Sequence, residues 1–562
     1  MKKCANLENS KCSQAVLVFF VILVFVLLNL NTFTAWFRSD SQIYYQGICQ
    51  SVNNLKSGEF SFANLGIAGH TCYGYSLFVF IGQLLIPYHG VGVRLANLCM
   101  ALITIWLFWK LLSKLFPILE EWTRVFITAA FAFSPFMLGI FSEIHTDFPV
   151  LCFFVWLVYF YVTGREVMCL LTGFLLCFSK EIGVLYYCAF FGSCFLYRLV
   201  KNENKNWLKK LGDEFSICEW LLLVPADLFL ICATTSRSWA GSAINPKLTD
   251  GTVNTFHLSW DYIWVKIREI FLMNFAWLLI IPLVLFLVAV FRKKAQKLAL
   301  NTEWFLGIGG TGIVFLLFNF TYYTFTHYRY LQIYLPVFLI LVALLMEKAT
   351  ANVWLKRGIS LLFVAAFLAE SFVTVDPVTY LAFRNVDLGN GKIITTNEFI
   401  TDPTDGQRFA SASDGADVEK GELLDSVVYN REYLGLERAF ERAMKDIAYE
   451  ETKGIILPAI YDQDMTYTAL AYLGARDPWK LYWDSESGNI TLDDKKDQIY
   501  WVDISKEIPD YLSGFEEVWY VKLPYRGEGY EEKNLEQFEI LEERTYTSGK
   551  WEITLEKVQL KK

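Results

Sequence analysis

The sequence predicts a polytopic α-helical membrane protein over residues 1–372, followed by a soluble α/β domain over residues 373–562. Three observations predict it. The 562-residue chain is 54% hydrophobic with a mean hydropathy of +0.33, a balance rare in water-soluble proteins of this length. The apolar residues gather before about residue 372 in runs of roughly 18–22, enough for a helix to cross a ~30 Å hydrocarbon core. The net charge of −8 also hides two unlike halves: residues 373–562 hold 38 acids and 22 bases, whereas the remainder holds 20 acids and 28 bases. An acidic tail argues against nucleic acid and against anionic lipid as its partner.

The first apolar run, 14–34, is followed by no small-residue cleavage site and reads as a retained helix. Further spans are predicted near 93–113, 122–141, 147–163, 167–179, 182–199, 218–235, 269–291, 303–321, 329–347 and 355–373, about eleven in all. Bases set their direction. With the amino terminus inside, Lys2, Lys3, Lys11, Lys110, Lys114, the stretch from Arg198 to Lys210, FRKKAQK and WLKRG all fall inside. An odd number of spans leaves the tail outside the membrane, read as a bacterial plasma membrane. HTCYGYSLFVFIGQLLIPYHG (70–90) holds about 13 apolar-rich residues before Pro87, too few for a span, and is predicted to lie in or re-enter the outer interface. All twelve cysteines precede residue 233, so no disulfide framework is expected in the tail. Cys49 and Cys72 share the first outer loop and either pair or pack unlinked.

In the tail, TDPTDGQ and SASDGADVEKGE read as loop and DSVVYN as a strand. REYLGLERAFERAMKDIAYEE places Leu434, Leu436, Phe440, Met444 and Ile447 at helical spacing. GIILPAI, QIYWVDI and EEVWYVKL read as strands, with SGKWEITLEKV as a late one. The alternation suggests a Rossmann-like α/β layer, but no glycine-rich phosphate loop follows the first strand, and a nucleotide site is not expected.

On this topology the outer face collects polar clusters. Arg38 and Asp40 follow the first span. FSEIHTDFPVLCFFVW (141–156) sets Glu143, His145 and Asp147 at the lip of an apolar run, and CFSKEIGV carries Ser179, Lys180 and Glu181. TYYTFTHYRYLQ brings His327 and Arg329, and all five histidines (70, 89, 145, 257 and 327) fall in outer or outer-interfacial segments. Each cluster has an ordinary structural reading. Thr146 or Asp147 can cap a helix that has Pro149 in its first turn. Lys180 and Glu181 can be a surface pair, His327 and Arg329 can snorkel, and Arg38 with Asp40 can be a loop ion pair. Their gathering at one membrane surface is the informative part, because ionisable groups beside lipid are costly.

The order of these clusters resembles the GT-C superfamily of membrane glycosyltransferases, in particular the protein O-mannosyltransferase and aminoarabinose-transferase branch. The likeness rests on SDSQIYY, with Asp40 and Tyr44; on HTCYGYSLFVFIGQLLIPYHGVGVRLANL, with His70, Gly74, Tyr75 and Arg94; on HTDFPVLCFF, with Asp147; on SKEIG, with Lys180; and on HYRYLQIYLP, with Arg329 and Tyr330. Ser41 stands where the family has a second acid, and the proline after His70 is missing. The resemblance covers roughly residues 14–372. It implies transfer of a sugar from a polyprenyl-phosphate donor to a hydroxyl acceptor at the outer leaflet, with Asp40 as base. Lys180, Arg329 and Arg94 would meet the donor phosphate, and Asp147 would orient the acceptor or Asp40. Tyr44, His70, Tyr75, Glu143, His145 and His327 are the remaining candidates for substrate contact. No fixed cofactor is implied; a divalent cation, Mg²⁺ or Mn²⁺, serves some relatives, but one first-loop acid is a poor basis for a metal site. A transporter would instead favour mid-membrane charges and internal symmetry. The same sequence features also admit a polymerase or ligase of lipid-linked polysaccharide, or a non-catalytic scaffold that presents the tail.

Overall fold

The computed structural model describes residues 2–33, 40–60, 72–86, 90–139, 143–203, 214–235, 279–291, 300–321 and 332–373, with isolated positions between them. Beyond 373 it describes mainly 438–440, 442–447, 452–458, 499–502, 515–522, 538–549 and 551–561, with several two- and three-residue ladders. Two compact units emerge: Met1–Leu30 with Gly69–Leu77 and Asn97–Tyr429, and Asn31–Ala68 with Phe78–Ala96 and Asn430–Lys562.

The apolar runs fold as helices because their backbone groups can then be satisfied within each segment. They are α1 (Lys2–Asn29), α2 (Asp40–Ser57), α3 (Tyr73–Leu85), α4 (Val91–Leu115), α5 (Glu121–Ala132), α6 (Asp147–Val162), α7 (Glu166–Cys177), α8 (Glu181–Lys201), α9 (Val224–Thr235), α10 (Ile280–Phe291), α11 (Thr302–Thr321), α12 (Tyr334–Ala349) and α13 (Val353–Val373). Four segments among the described residues are long and apolar enough to cross a membrane: Ala15–Thr32, α4, α8 and α11. The helices α3, α6, α7 and α10 are apolar but shorter. Of the predicted span 269–291, the described helix covers Ile280–Phe291.

Burial sorts these helices. Almost every residue of α6, from Asp147 through Val158, is buried, as expected of a helix that is apolar all round and enclosed by others. By contrast, Phe19 and Phe20 on α1 and Leu283, Phe286 and Phe291 on α10 are exposed. Large apolar side chains facing outward on such helices mark an integral membrane protein.

The segment after the first span departs from the sequence expectation of a loop: Asp40 opens the 18-residue helix α2. Tyr44, Tyr45, Ile48, Cys49 and Val52 are buried along it, a helical repeat masked by intervening polar residues. Cys49 and Cys72 are buried thiols and form no disulfide.

In the tail, β1 (Lys453–Pro458), β2 (Ile499–Val502), β3 (Glu517–Lys522), β4 (Phe538–Ser548) and β5 (Trp551–Leu560) form one sheet in the order β2-β1-β3-β5-β4. β1 runs parallel to β2 and β3, while β3–β5 and β5–β4 are antiparallel. The sheet is therefore mixed, and its antiparallel edge departs from a Rossmann-like layer. Gly549, at φ 63°, makes the tight β4–β5 turn. The predicted helix is present at 438–440 and 442–447, with Phe440, Met444 and Ile447 buried. DSVVYN, Leu434 and Leu436 lie outside the described residues.

Candidate functional site

The site begins at two helix starts. α6 starts at Asp147 after Thr146, whose side chain makes no capping hydrogen bond. The α7 helix ends at Cys177, the chain reverses over Phe178 and Ser179, and Lys180 stands in extended conformation at the N-cap of α8. The Lys180 carbonyl accepts from the Gly183 amide at 2.8 Å, which starts the helix.

Lys180 Nζ donates to both oxygens of Asp147, at 2.7 Å to Oδ1 and 2.8 Å to Oδ2. Lys180 is 9% exposed and Asp147 is 7% exposed. Removing two charges from water is costly, and the pair persists because both oxygens are engaged at short range. The N-terminus of α6 adds favourable partial positive charge beside the carboxylate. This geometry replaces two ordinary readings: the Asp147 carboxylate is spent on an ion pair rather than on a cap, and Lys180 pairs across 33 residues of sequence rather than standing on the surface beside Glu181.

The surrounding unit holds this arrangement from behind. Tyr75 is fully buried and donates its hydroxyl to Asn97 Oδ1 at 3.0 Å. Asn97, equally buried, donates Nδ2 to the Glu143 carbonyl at 2.9 Å. The Gly74 amide donates to the Phe178 carbonyl at 2.9 Å. A Cβ at Gly74 would lie 2.8 Å from the Leu175 carbonyl oxygen, so only glycine permits this approach. Glu143 and His145 are also buried. Asn97 is not singled out by the sequence; its one signal is an amide interrupting the apolar run of α4.

The other unit has its own polar cluster. Arg94 is fully buried, with its guanidinium 4.0 Å from the Phe37 ring centroid and Nη1 donating to the Phe33 carbonyl at 3.4 Å. Beside it, Gln83 Nε2 donates to the Tyr45 hydroxyl at 3.0 Å, and Tyr45 packs on Phe37 at 4.7 Å. Tyr44 is buried on α2. Asp40 is placed as the first residue of α2, but its side chain, like His70, His327 and Arg329, lies outside what the structure describes. Among the described residues no three His, Cys, Asp or Glu side chains converge as a metal site.

No protein-family model and no curated protein matches the sequence. Solved structures do match. The crystal structure of ArnT from Cupriavidus metallidurans bound to undecaprenyl phosphate aligns over 96% of this chain and 97% of that one, at 13% identity and a TM-score of 0.52. The apo state of the same protein aligns over 95% and 97%, at 13% identity and a TM-score of 0.48. At this identity the likeness is one of fold, and it agrees with the GT-C resemblance carried by the motifs: the chain has the fold of ArnT.

Proposed function

We propose that this protein is an integral membrane glycosyltransferase that moves a sugar from a polyprenyl-phosphate donor to a hydroxyl acceptor on a lipid, a surface glycan or a protein. The observation that carries the reading is the buried Lys180–Asp147 pair at the meeting of two helix starts. It stands in a chain whose fold is that of a protein crystallised with undecaprenyl phosphate. A fixed ammonium beside two helix N-termini, whose partial charge is positive, suits a lipid phosphate.

In the reaction, the acceptor oxygen attacks the anomeric carbon and the bond from that carbon to the phosphate oxygen breaks. The electron pair leaves with the lipid phosphate, and the acceptor proton passes to Asp40. A single displacement inverts the anomeric centre. Lys180, with Arg329 and Arg94, balances the charge gathering on the departing phosphate. Asp147 holds the Lys180 ammonium in place until that phosphate arrives. Eleven spans, an inside amino terminus and an outside site and tail complete the reading, supported by the distribution of bases.

The test is sugar release from a labelled polyprenyl-phosphate donor by the purified full-length protein. Asp40→Asn keeps the size and hydrogen-bonding capacity of the side chain without its basicity. It should bind undecaprenyl phosphate normally and lower transfer by at least about a hundredfold, the low end for loss of a general base. Near-wild-type turnover removes Asp40 as base, and a wild-type protein that never releases sugar from any such donor overturns the reading.

A further inference from the structure

Asn97 is an amide with no exposed surface inside an apolar helix, a placement that costs free energy unless its polar atoms are matched. A carbonyl can only accept, so Asn97 must turn its Nδ2 toward the Glu143 carbonyl, leaving Oδ1 for the Tyr75 hydroxyl. Glu143 precedes Asp147 by four residues, and the backbone between them is non-helical until α6 begins. The neighbouring residue, Gly74, holds the Phe178 carbonyl, two residues before Lys180. One dipeptide at the start of α3 therefore grips the chain leading into both members of the ion pair.

We infer that Asn97 and Tyr75 are positioning residues that set the Asp147 carboxylate against Lys180 and so keep the ammonium aimed for a phosphate. The inference rests on the reading that Lys180 meets the donor phosphate. On this account Tyr75 serves the substrate from behind the site and does not touch it. Gly74 acts on the other arm: its bare Cα lets α3 come within van der Waals reach of the Leu175 carbonyl.

The test is a set of mutant cycles read as undecaprenyl phosphate affinity of the full-length protein in nanodiscs, with thermal melting confirming the fold. Tyr75→Phe and Asn97→Leu should each weaken binding about tenfold, the scale of one unsatisfied buried polar group. Both losses should vanish when Asp147→Asn is already present, because the residues act through that carboxylate. Losses that persist undiminished in the Asp147→Asn background assign Asn97 to general packing and overturn the inference. Wild-type affinity in Tyr75→Phe and Asn97→Leu overturns it equally. Lys180→Ala separates the two levels: wild-type affinity there removes the donor reading and this inference with it, whereas weakened affinity with additive cycles removes the inference alone. Should Asn97→Leu fail to fold, Tyr75→Phe, which loses a single oxygen, carries the cycle.

Discussion

Lys180 and Asp147 each hold a charge that the other makes tolerable. Removing one partner of a buried pair strands the other, at a cost of about 3 kcal/mol, while replacing both with apolar residues of similar volume is often nearly neutral. We expect Lys180→Ala to lower stability on that scale and Lys180→Met with Asp147→Leu to recover most of it. Undecaprenyl phosphate binding should stay lost in both. Thermal unfolding in matched detergent checks the first half, and a double variant no more stable than Lys180→Ala would show that the pair is not coupled. At this scale the sequence shows which residues are chemically unusual but not which partner each takes. Lys180 has an acid adjacent at Glu181, yet its carboxylate comes from a residue 33 positions away, and only the packing of α6 beside the α7–α8 turn brings them together.

At the scale of elements, helices α6 and α8 are tied at both ends. Beyond the Asp147–Lys180 pair, Arg198 near the end of α8 donates through Nη2 to the Tyr161 hydroxyl at 3.1 Å and through Nε to Glu303 of α11 at 2.9 Å, and it also pairs with Glu219. The sheet has its own tie. Glu517 on β3 accepts from Lys557 on β5 at 2.5 Å, with Lys453 of β1 4.0 Å away. The Lys557 ammonium, helped by the Trp519 indole, holds the Glu517 carboxyl below its ordinary value of 4.5. A depressed carboxyl contributes stability that is complete above that ordinary value and is lost as pH falls through the folded value. Glu556 has the opposite sign, since burial raises its carboxyl and favours the folded sheet as pH falls. Glu517→Gln should therefore flatten the acid loss of sheet stability. The check is urea unfolding of the full-length protein, followed by amide protection of β3 and β5 from about pH 7 to about pH 3; equal acid loss in the variant would exclude Glu517 as its source. Apolar run length makes most helices legible in the sequence. α2 is hidden by its polar residues, and β4 by its charges and by the register shift between Ile540 and Glu542, which breaks the alternation that marks a strand.

For the molecule as a whole, charge asymmetry is the strongest constraint on orientation. An acidic tail follows a membrane region whose bases fall in the loops assigned to the inside. Protease added to intact cells or right-side-out vesicles should remove residues beyond about 376 and spare the FRKKAQK loop, as positive-inside placement requires. A protected tail would reverse the topology and every assignment of the site to the outer leaflet.

The shortness of α6 and α7 has a consequence for the bilayer itself. At 1.5 Å per residue, the 16 residues of α6 reach about 24 Å and the 12 of α7 about 18 Å, against a hydrocarbon core of ~30 Å. α6 is enclosed by other helices, whereas α7 exposes Val167, Met168 and Leu171, so a membrane crossed by α7 would have to thin around it or leave its end below the surface. The Asp147 end of α6 and the turn after α7 would then sit within the acyl region unless lipid headgroups draw down to meet them. If Lys180 receives the donor phosphate as proposed, membrane thickness would help determine how readily that phosphate reaches it. Reconstituted in bilayers of increasing acyl length, the protein should bind undecaprenyl phosphate progressively more weakly as mismatch grows. Affinity that is flat across the series would mean that surrounding helices, rather than lipid, absorb the missing length.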